Sequence, residues 1–126
     1  MVGPKRFLVV DDDESLTQAI LFHFEELGIK GIAANDFHDA MFKIKNESFQ
    51  FILTDLWIGQ KESVEIVKTC KKEFSLNAQS KVFLMSGHLD MMTLKEIAPL
   101  LNGAFVKPFS MDDLVKKIDP ESDFDK

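Results

Sequence analysis

A single cysteine, Cys70, occurs in the 126 residues of this chain. A lone thiol builds neither an internal disulfide framework nor a cysteine-based zinc site, and the composition fits a reducing cytoplasm. Long apolar runs are also missing. Lys5 and Arg6 do precede Phe7-Leu8-Val9-Val10, but that run ends at once in three aspartates, so it is neither a signal-peptide core nor a membrane span. Basic runs are absent too. With 15 basic residues against 21 acidic ones and a net charge of −6, nothing here can follow a phosphate backbone, so direct nucleic-acid binding is disfavoured. A protein partner or a small anionic donor fits better. No linker or low-complexity tract interrupts the chain, and its length is that of one ordinary domain.

What the chain does have is a series of short apolar stretches that end in functional groups. Phe49-Gln50-Phe51-Ile52-Leu53-Thr54-Asp55 reads as a strand covered on both faces, as in a parallel sheet, and it delivers one carboxylate to its own C-terminal end. Arg6 to Val10 is a second such strand, and it ends in Asp11, Asp12, Asp13 and Glu14. Ile29 to Ala34 is a weaker one. Lys81 to Ser86 brings a hydroxyl to the same edge, with Gly87 allowing the turn. Gly103 to Lys107 brings a cation.

Helical patterns separate the strands. Ser15 with Gln18 reads as a capping box for a first helix with Leu16, Ile20, Phe24 and Leu27 on one face, and Gly28 stands where a C-terminal cap belongs. Asn35 or Asp36 caps a second helix with Phe37, Ala40, Met41 and Ile44 inward. After a loop over residues 56–61, a third shows Ile66, Val67, Cys70 and Phe74, so Cys70 is expected in the core. A fourth passes through Leu94 and Ile97, with Pro99 ending or bending it. Ser110 with Asp113 caps a short last helix facing inward through Met111, Leu114, Val115 and Ile118, closed by Pro120. Residues 120–126 are expected to be a disordered tail. This alternation predicts an α/β fold with a doubly wound, five-stranded parallel sheet and right-handed crossovers.

In open parallel sheets, ligands sit beyond the carboxyl ends of the strands. That edge would hold Asp11, Asp12, Asp55, Ser86 and Lys107. Clustered carboxylates repel one another unless a cation joins them, and Mg²⁺, with its preference for hard oxygen ligands, waters and phosphate, is the natural candidate. Lys107 supplies a point charge for a phosphoryl oxygen, Ser86 a hydroxyl, and Asp55 a nucleophile that would form an acyl phosphate. His23 and His38 read as surface groups. His88 and Trp57, each two residues past a site residue, lie on the rim.

Leu8-Val9-Val10-Asp11-Asp12-Asp13, Asp55 after an apolar strand, Ser86-Gly87 and Lys107-Pro108-Phe109 together resemble a response regulator receiver domain of the CheY-like type, over about residues 5–119. The resemblance implies a (βα)5 flavodoxin-like fold with strand order 2-1-3-4-5, a receiver domain over residues 1–119, and a stand-alone phosphoacceptor of a two-component phosphorelay. Asp55 would be phosphorylated by a sensor histidine kinase or a histidine phosphotransfer protein. Asp12 would ligate Mg²⁺ directly, Asp11 mainly through water, and Asp55 and the backbone carbonyl of Trp57 would complete the protein ligands. Ser86 and Lys107 would bind the phosphoryl group, with Lys107-Pro108 a cis peptide. The protein would catalyse only its own phosphorylation and dephosphorylation and would signal to a downstream protein.

The chain departs from the family pattern in three places. Gly59 stands where Pro is common, with Glu62-Ser63 where an Asp-Gly pair often follows. The switch aromatic falls on Ala104, with Phe105 on the opposite face. Helix five is short. The altered loop and Ala104 favour a second reading, a pseudo-receiver whose partner recognises the fold regardless of phosphorylation, while the intact acidic site opposes it. A third, an aspartyl-phosphate phosphatase of the haloacid dehalogenase type, needs a second Asp where this chain has Trp57.

Overall fold

A computed structural model describes residues 6–88 and 91–119. Five strands, β1 (Arg6–Val10), β2 (Lys30–Ala34), β3 (Phe51–Asp55), β4 (Lys81–Ser86) and β5 (Gly103–Val106), form one parallel sheet in the order β2-β1-β3-β4-β5. This is the doubly wound order expected. All five residues of β3 are buried, as a central parallel strand requires.

Alternate residues of each strand feed two cores, because successive side chains leave opposite faces of the pleat. Leu8, Val10, Ile52, Val82 and Leu84 join one, with helices α2 (Phe37–Asn46), α3 (Val64–Cys70) and α4 (Met91–Ile97) laid over it. Phe7, Val9, Phe51, Leu53, Phe83, Met85 and Phe105 join the other, under α1 (Glu14–Glu26) and α5 (Met111–Ile118). Each fully buried Leu, Ile or Phe contributes roughly 1.5–3 kcal/mol of transfer free energy.

The helices begin where side chains can cap them, with one reassignment. Asp13, not Ser15, caps α1: its carboxylate accepts from the Leu16 amide at 3.2 Å, so the Ser15-Gln18 capping box does not form. The chain's earlier carboxylate reaches the orphan amide first, and Ser15 is left exposed. Asp36 caps α2, and Ser110 accepts from Asp113 N at 3.0 Å at the start of α5, as expected. Gly28 adopts φ +83° past the end of α1. Pro99 lies in a 3₁₀ turn, Ala98–Leu100, that closes α4.

Three further expectations are corrected. Helix α3 stops at Cys70, so Phe74 does not join its inward face; it is 93 % exposed, with φ +68°. The stretch after β3 is not a plain loop but a two-stranded hairpin, Trp57–Ile58 against Lys61–Glu62. His23, on α1, is half-buried, and its Nε2 is shut off from solvent. The predicted tail over residues 120–126, with the Pro120 stop, lies outside the described residues. Cys70 is buried, and burial pushes its thiol up to about 12.

At the amino end of the sheet, residues 71–80 are braced by the buried Asn77 side chain. Asn77 donates to the carbonyls of Ile44 and Glu47 at 2.8 and 2.9 Å and accepts from the amide of Phe49 at 2.8 Å. Nothing in the amino-acid pattern distinguishes this Asn from an ordinary loop residue.

Candidate functional site at the carboxyl edge of the sheet

Because the strands are parallel, their last residues share one edge. Asp11 follows β1, Asp55 closes β3, Ser86 closes β4 and Lys107 follows β5. The Lys107 ammonium bridges the two inner acids, 2.6 Å from Asp11 Oδ2 and 2.6 Å from Asp55 Oδ2. Its own amide donates to Ser86 O at 2.8 Å, and the Lys107-Pro108 peptide is cis. Burial works against the charged ammonium, yet hydrogen bonds and attraction from Asp11 and Asp55 outweigh it and raise the Lys107 pKa.

Each acid is further held by the backbone. Asp11, 1 % exposed, accepts from Asp13 N through Oδ1 at 2.9 Å, while its carbonyl receives the Asn35 amide at 2.8 Å. Asn35 also reaches Thr17 Oγ1 at 3.0 Å, so it ties the β1–α1 turn to the end of β2. Asp55 Oδ1 accepts from Trp57 N at 3.0 Å, which leaves Oδ2 facing Lys107.

Asp12 behaves differently from its neighbours. It is exposed, and its Oδ2 accepts from the amide of Gly59, at the hairpin tip, at 3.0 Å. Accordingly, among the described residues no three His, Cys, Asp or Glu side chains are gathered as a metal-holding group. The cation that joins Asp11 to Asp55 here is Lys107. The donor set nonetheless suits a hard divalent ion: carboxylate oxygens dominate it, and Asp12 sits on the open rim, held by one backbone amide. Trp57 adds to this. Ser63 N to Leu56 O at 2.8 Å and the Ile58–Lys61 pair bracket the Trp57–Glu62 pair, so the latter is of the non-hydrogen-bonded kind. Trp57 therefore turns its N–H and C=O away from Glu62, with the N–H on Asp55.

Ser86 is 3 % exposed, and its hydroxyl is engaged locally: it donates to His88 O at 2.9 Å and accepts from His88 N at 3.3 Å. His88 is exposed beside it, and Trp57, two residues past Asp55, is 42 % exposed. Ala104 packs toward the α2–α3–α4 core, whereas Phe105 points the other way against Phe83 and Phe109, with ring centroids 6.1 and 5.7 Å away. The opposite facing of these two neighbours is as the strand periodicity predicts. Gly59, Asn35 and the hairpin were not singled out as site elements; a glycine and an asparagine beside strand ends are too common in loops to carry that signal.

A five-stranded parallel sheet in the 2-1-3-4-5 order, with two aspartates and a lysine locked together at its carboxyl edge, defines a flavodoxin-like α/β protein of the CheY-like kind. The chain belongs to the response regulator receiver domain family, whose model matches residues 7–119. It is thereby a signalling domain of two-component systems. A solved CheY-like response regulator receiver domain protein from Methanospirillum hungatei JF-1 superposes with a TM-score of 0.84 at 24 % identity, over 91 % of this chain and 90 % of the other. A response regulator from Burkholderia pseudomallei, solved with a phosphorylated aspartic acid, calcium ion and citrate, gives 0.80 at 21 % identity, over 90 % of this chain and 66 % of that one. Among curated proteins, the transcriptional regulatory protein CrdR of Helicobacter pylori is 26 % identical over 115 residues, 90 % of this chain. The chain spans about half of that relative's length, 53 %. Among the described residues, no helix is long and apolar enough to cross a membrane.

Proposed function

We propose that the chain accepts a phosphoryl group on Asp55 from a phosphohistidine of a sensor kinase or transfer protein, with Mg²⁺, and signals through changed protein contacts. The observation that carries this reading is the Lys107 bridge, which fixes Asp55 Oδ2 beside a cation at the end of the central strand. Trp57 N occupies Oδ1, so Oδ2 is the oxygen presented for attack. In the transfer, the phosphorus–nitrogen bond of the donor breaks as a bond from Asp55 Oδ2 to phosphorus forms. Little covalent chemistry is asked of the protein beyond in-line positioning and neutralising the equatorial oxygens.

Lys107 would follow the charge, exchanging Asp55 Oδ2 for a phosphoryl oxygen while keeping Asp11. Ser86 would exchange the His88 carbonyl for another phosphoryl oxygen. Asp12, with Asp11, Asp55 and the Trp57 carbonyl, would hold Mg²⁺, which would supply the remaining neutralisation. The calcium ion and phosphorylated aspartate of the Burkholderia protein are consistent with a divalent site of this kind. Incubation with a small phosphodonor and Mg²⁺, followed by intact-mass analysis, tests the reading: one phosphoryl group is expected on the wild type and none on Asp55→Asn or in excess chelator.

Two observations favour the pseudo-receiver as a second reading. Asp12 is directed to Gly59 rather than to its fellow acids, and Ala104 offers no aromatic switch. A partner that binds wild type and Asp55→Asn equally, with and without phosphodonor, would select it.

A further inference from the structure

The hairpin after β3 touches the acidic site at two points and its flanking helices at two others. Trp57 and Gly59 are alternate residues, and both turn their amides to carboxylates, Asp55 Oδ1 and Asp12 Oδ2, each at 3.0 Å. Between them Ile58 pairs with Lys61 and is buried to 4 %, anchoring the hairpin in the core. On the return strand, the Lys61 ammonium lies 4.6 Å from the Phe37 ring centroid on α2. Glu62 Oε2 accepts from Thr93 Oγ1 on α4 at 3.0 Å.

We propose that this hairpin positions Asp12 and Asp55 and transmits occupancy of the acidic site to the first turn of α4, with Glu62 and Thr93 as its positioning residues. The proposal rests on the metal-binding reading given above. If Asp12 turned toward Asp11 and Asp55 to hold a cation, Gly59 N would lose its acceptor. The tip of the hairpin must then shift, and because Trp57 is paired directly with Glu62, a two-pair ribbon moves as a unit. Glu62 carries that shift to Thr93.

The receiving end is suited to respond. Of the residues of α4, only Ile97, at its far end, is buried, while Met91 and Met92 in the first turn are 66 % and 81 % exposed. A displacement of that turn changes an apolar surface that a protein partner can read. The route lies outside β5, so it needs no rotamer change at Ala104. By the same linkage, the hydrogen bond on α4 biases how readily Asp12 leaves Gly59, and hence the affinity for the cation.

The test uses the whole chain, MgCl₂ as the only ligand, and NMR of backbone amides and methionine methyls. In wild type, the Trp57 and Gly59 amides and the Met91 and Met92 methyls are expected to shift with one midpoint, while the Met111 methyl stays still. Thr93→Val should keep the amide shifts, lose most of the Met91 and Met92 response, and alter the Mg²⁺ midpoint severalfold; Thr93→Ser, which retains the hydroxyl, should restore both. Met91 and Met92 shifts in Thr93→Val as large as in wild type would overturn the proposal. So would wild-type amides that move while those methyls do not. Amides that ignore Mg²⁺ altogether would remove the metal reading itself and this proposal with it, a failure told apart from the others by the silence of Gly59.

Discussion

The Lys107 ammonium stands 2.6 Å from Oδ2 of Asp55, a contact between residues 52 positions apart. Because Asp11 is held at the same distance by the same ammonium, removing the lysine leaves two buried carboxylates facing one another. Lys107→Met should therefore destabilise the fold by about 1–3 kcal/mol, below the range for a fully buried pair because the lysine side chain keeps 24 % of its exposure. Urea denaturation with and without MgCl₂ checks this, and the deficit should narrow with Mg²⁺. Equal stability of the two proteins in chelator would refute it.

The same contact sets a pH dependence with a definite sign. The folded-state pKa of Lys107 is raised, so the stabilisation is fully present below the unfolded lysine value and is lost as pH rises through the folded one. The stability gap between wild type and Lys107→Met should thus be constant around neutrality and shrink in the alkaline range above about 10.4. Chemical denaturation of both proteins from neutrality into that range is the measurement; a gap that stayed constant or widened as the pH rose through it would contradict the sign.

Phe74 sits in the left-handed region with its ring in water, so it incurs backbone cost without packing in return. Phe74→Gly should stabilise the protein by about 0.5–1 kcal/mol, the left-handed relief exceeding glycine's added unfolded-state entropy. A lower urea midpoint for the variant would show that the ring does pack.

Asn77 satisfies three backbone groups from a fully buried position. Asn77→Ala orphans the Phe49 amide and two carbonyls, and a loss of about 2–4 kcal/mol is expected. Thermal melting decides it: a change within a degree or two would mean that water replaces the side chain at no cost.

Trp57 follows the acceptor by two residues, with its amide on Asp55 Oδ1, and His88 is bonded to Ser86; both side chains are exposed. If bulk there keeps water out of line with the acyl phosphate, Trp57→Ala should dephosphorylate severalfold faster. Unchanged decay in both Trp57→Ala and His88→Ala would assign the two to packing and surface alone.

The strand ends were legible in the sequence because a parallel sheet buries both faces, so Phe51 to Leu53 and Leu8 to Val10 stand out as apolar runs that stop at acids. The sheet order came with the family resemblance, and the opposite facing of Ala104 and Phe105 from simple alternation. The hairpin was not legible. Two pairs are too short for periodicity to register, and its turn depends on Gly59 at φ +63°, a signal shared with many loops. Phe74 misled because it continues the spacing of Ile66, Val67 and Cys70 past the point where the helix ends. At α1, two acceptable caps lay two residues apart, and pattern alone could not choose Asp13 over Ser15. The engagement of Ser86 with His88 and of Asp12 with Gly59 are matters of side-chain direction, which residue spacing does not carry.

The bridge from Lys107 to Asp11 also has a direction in time. Strand β1 finds both of its neighbours, β2 and β3, within the first 55 residues, so the half-sheet whose strands end in Asp11 and Asp55 can pair while the chain is still being made. Their positive counterpart arrives 96 positions after Asp11. Until Lys107 has been added, the growing domain carries these carboxylates without their lysine partner, and cations from the surrounding solution are left to screen them.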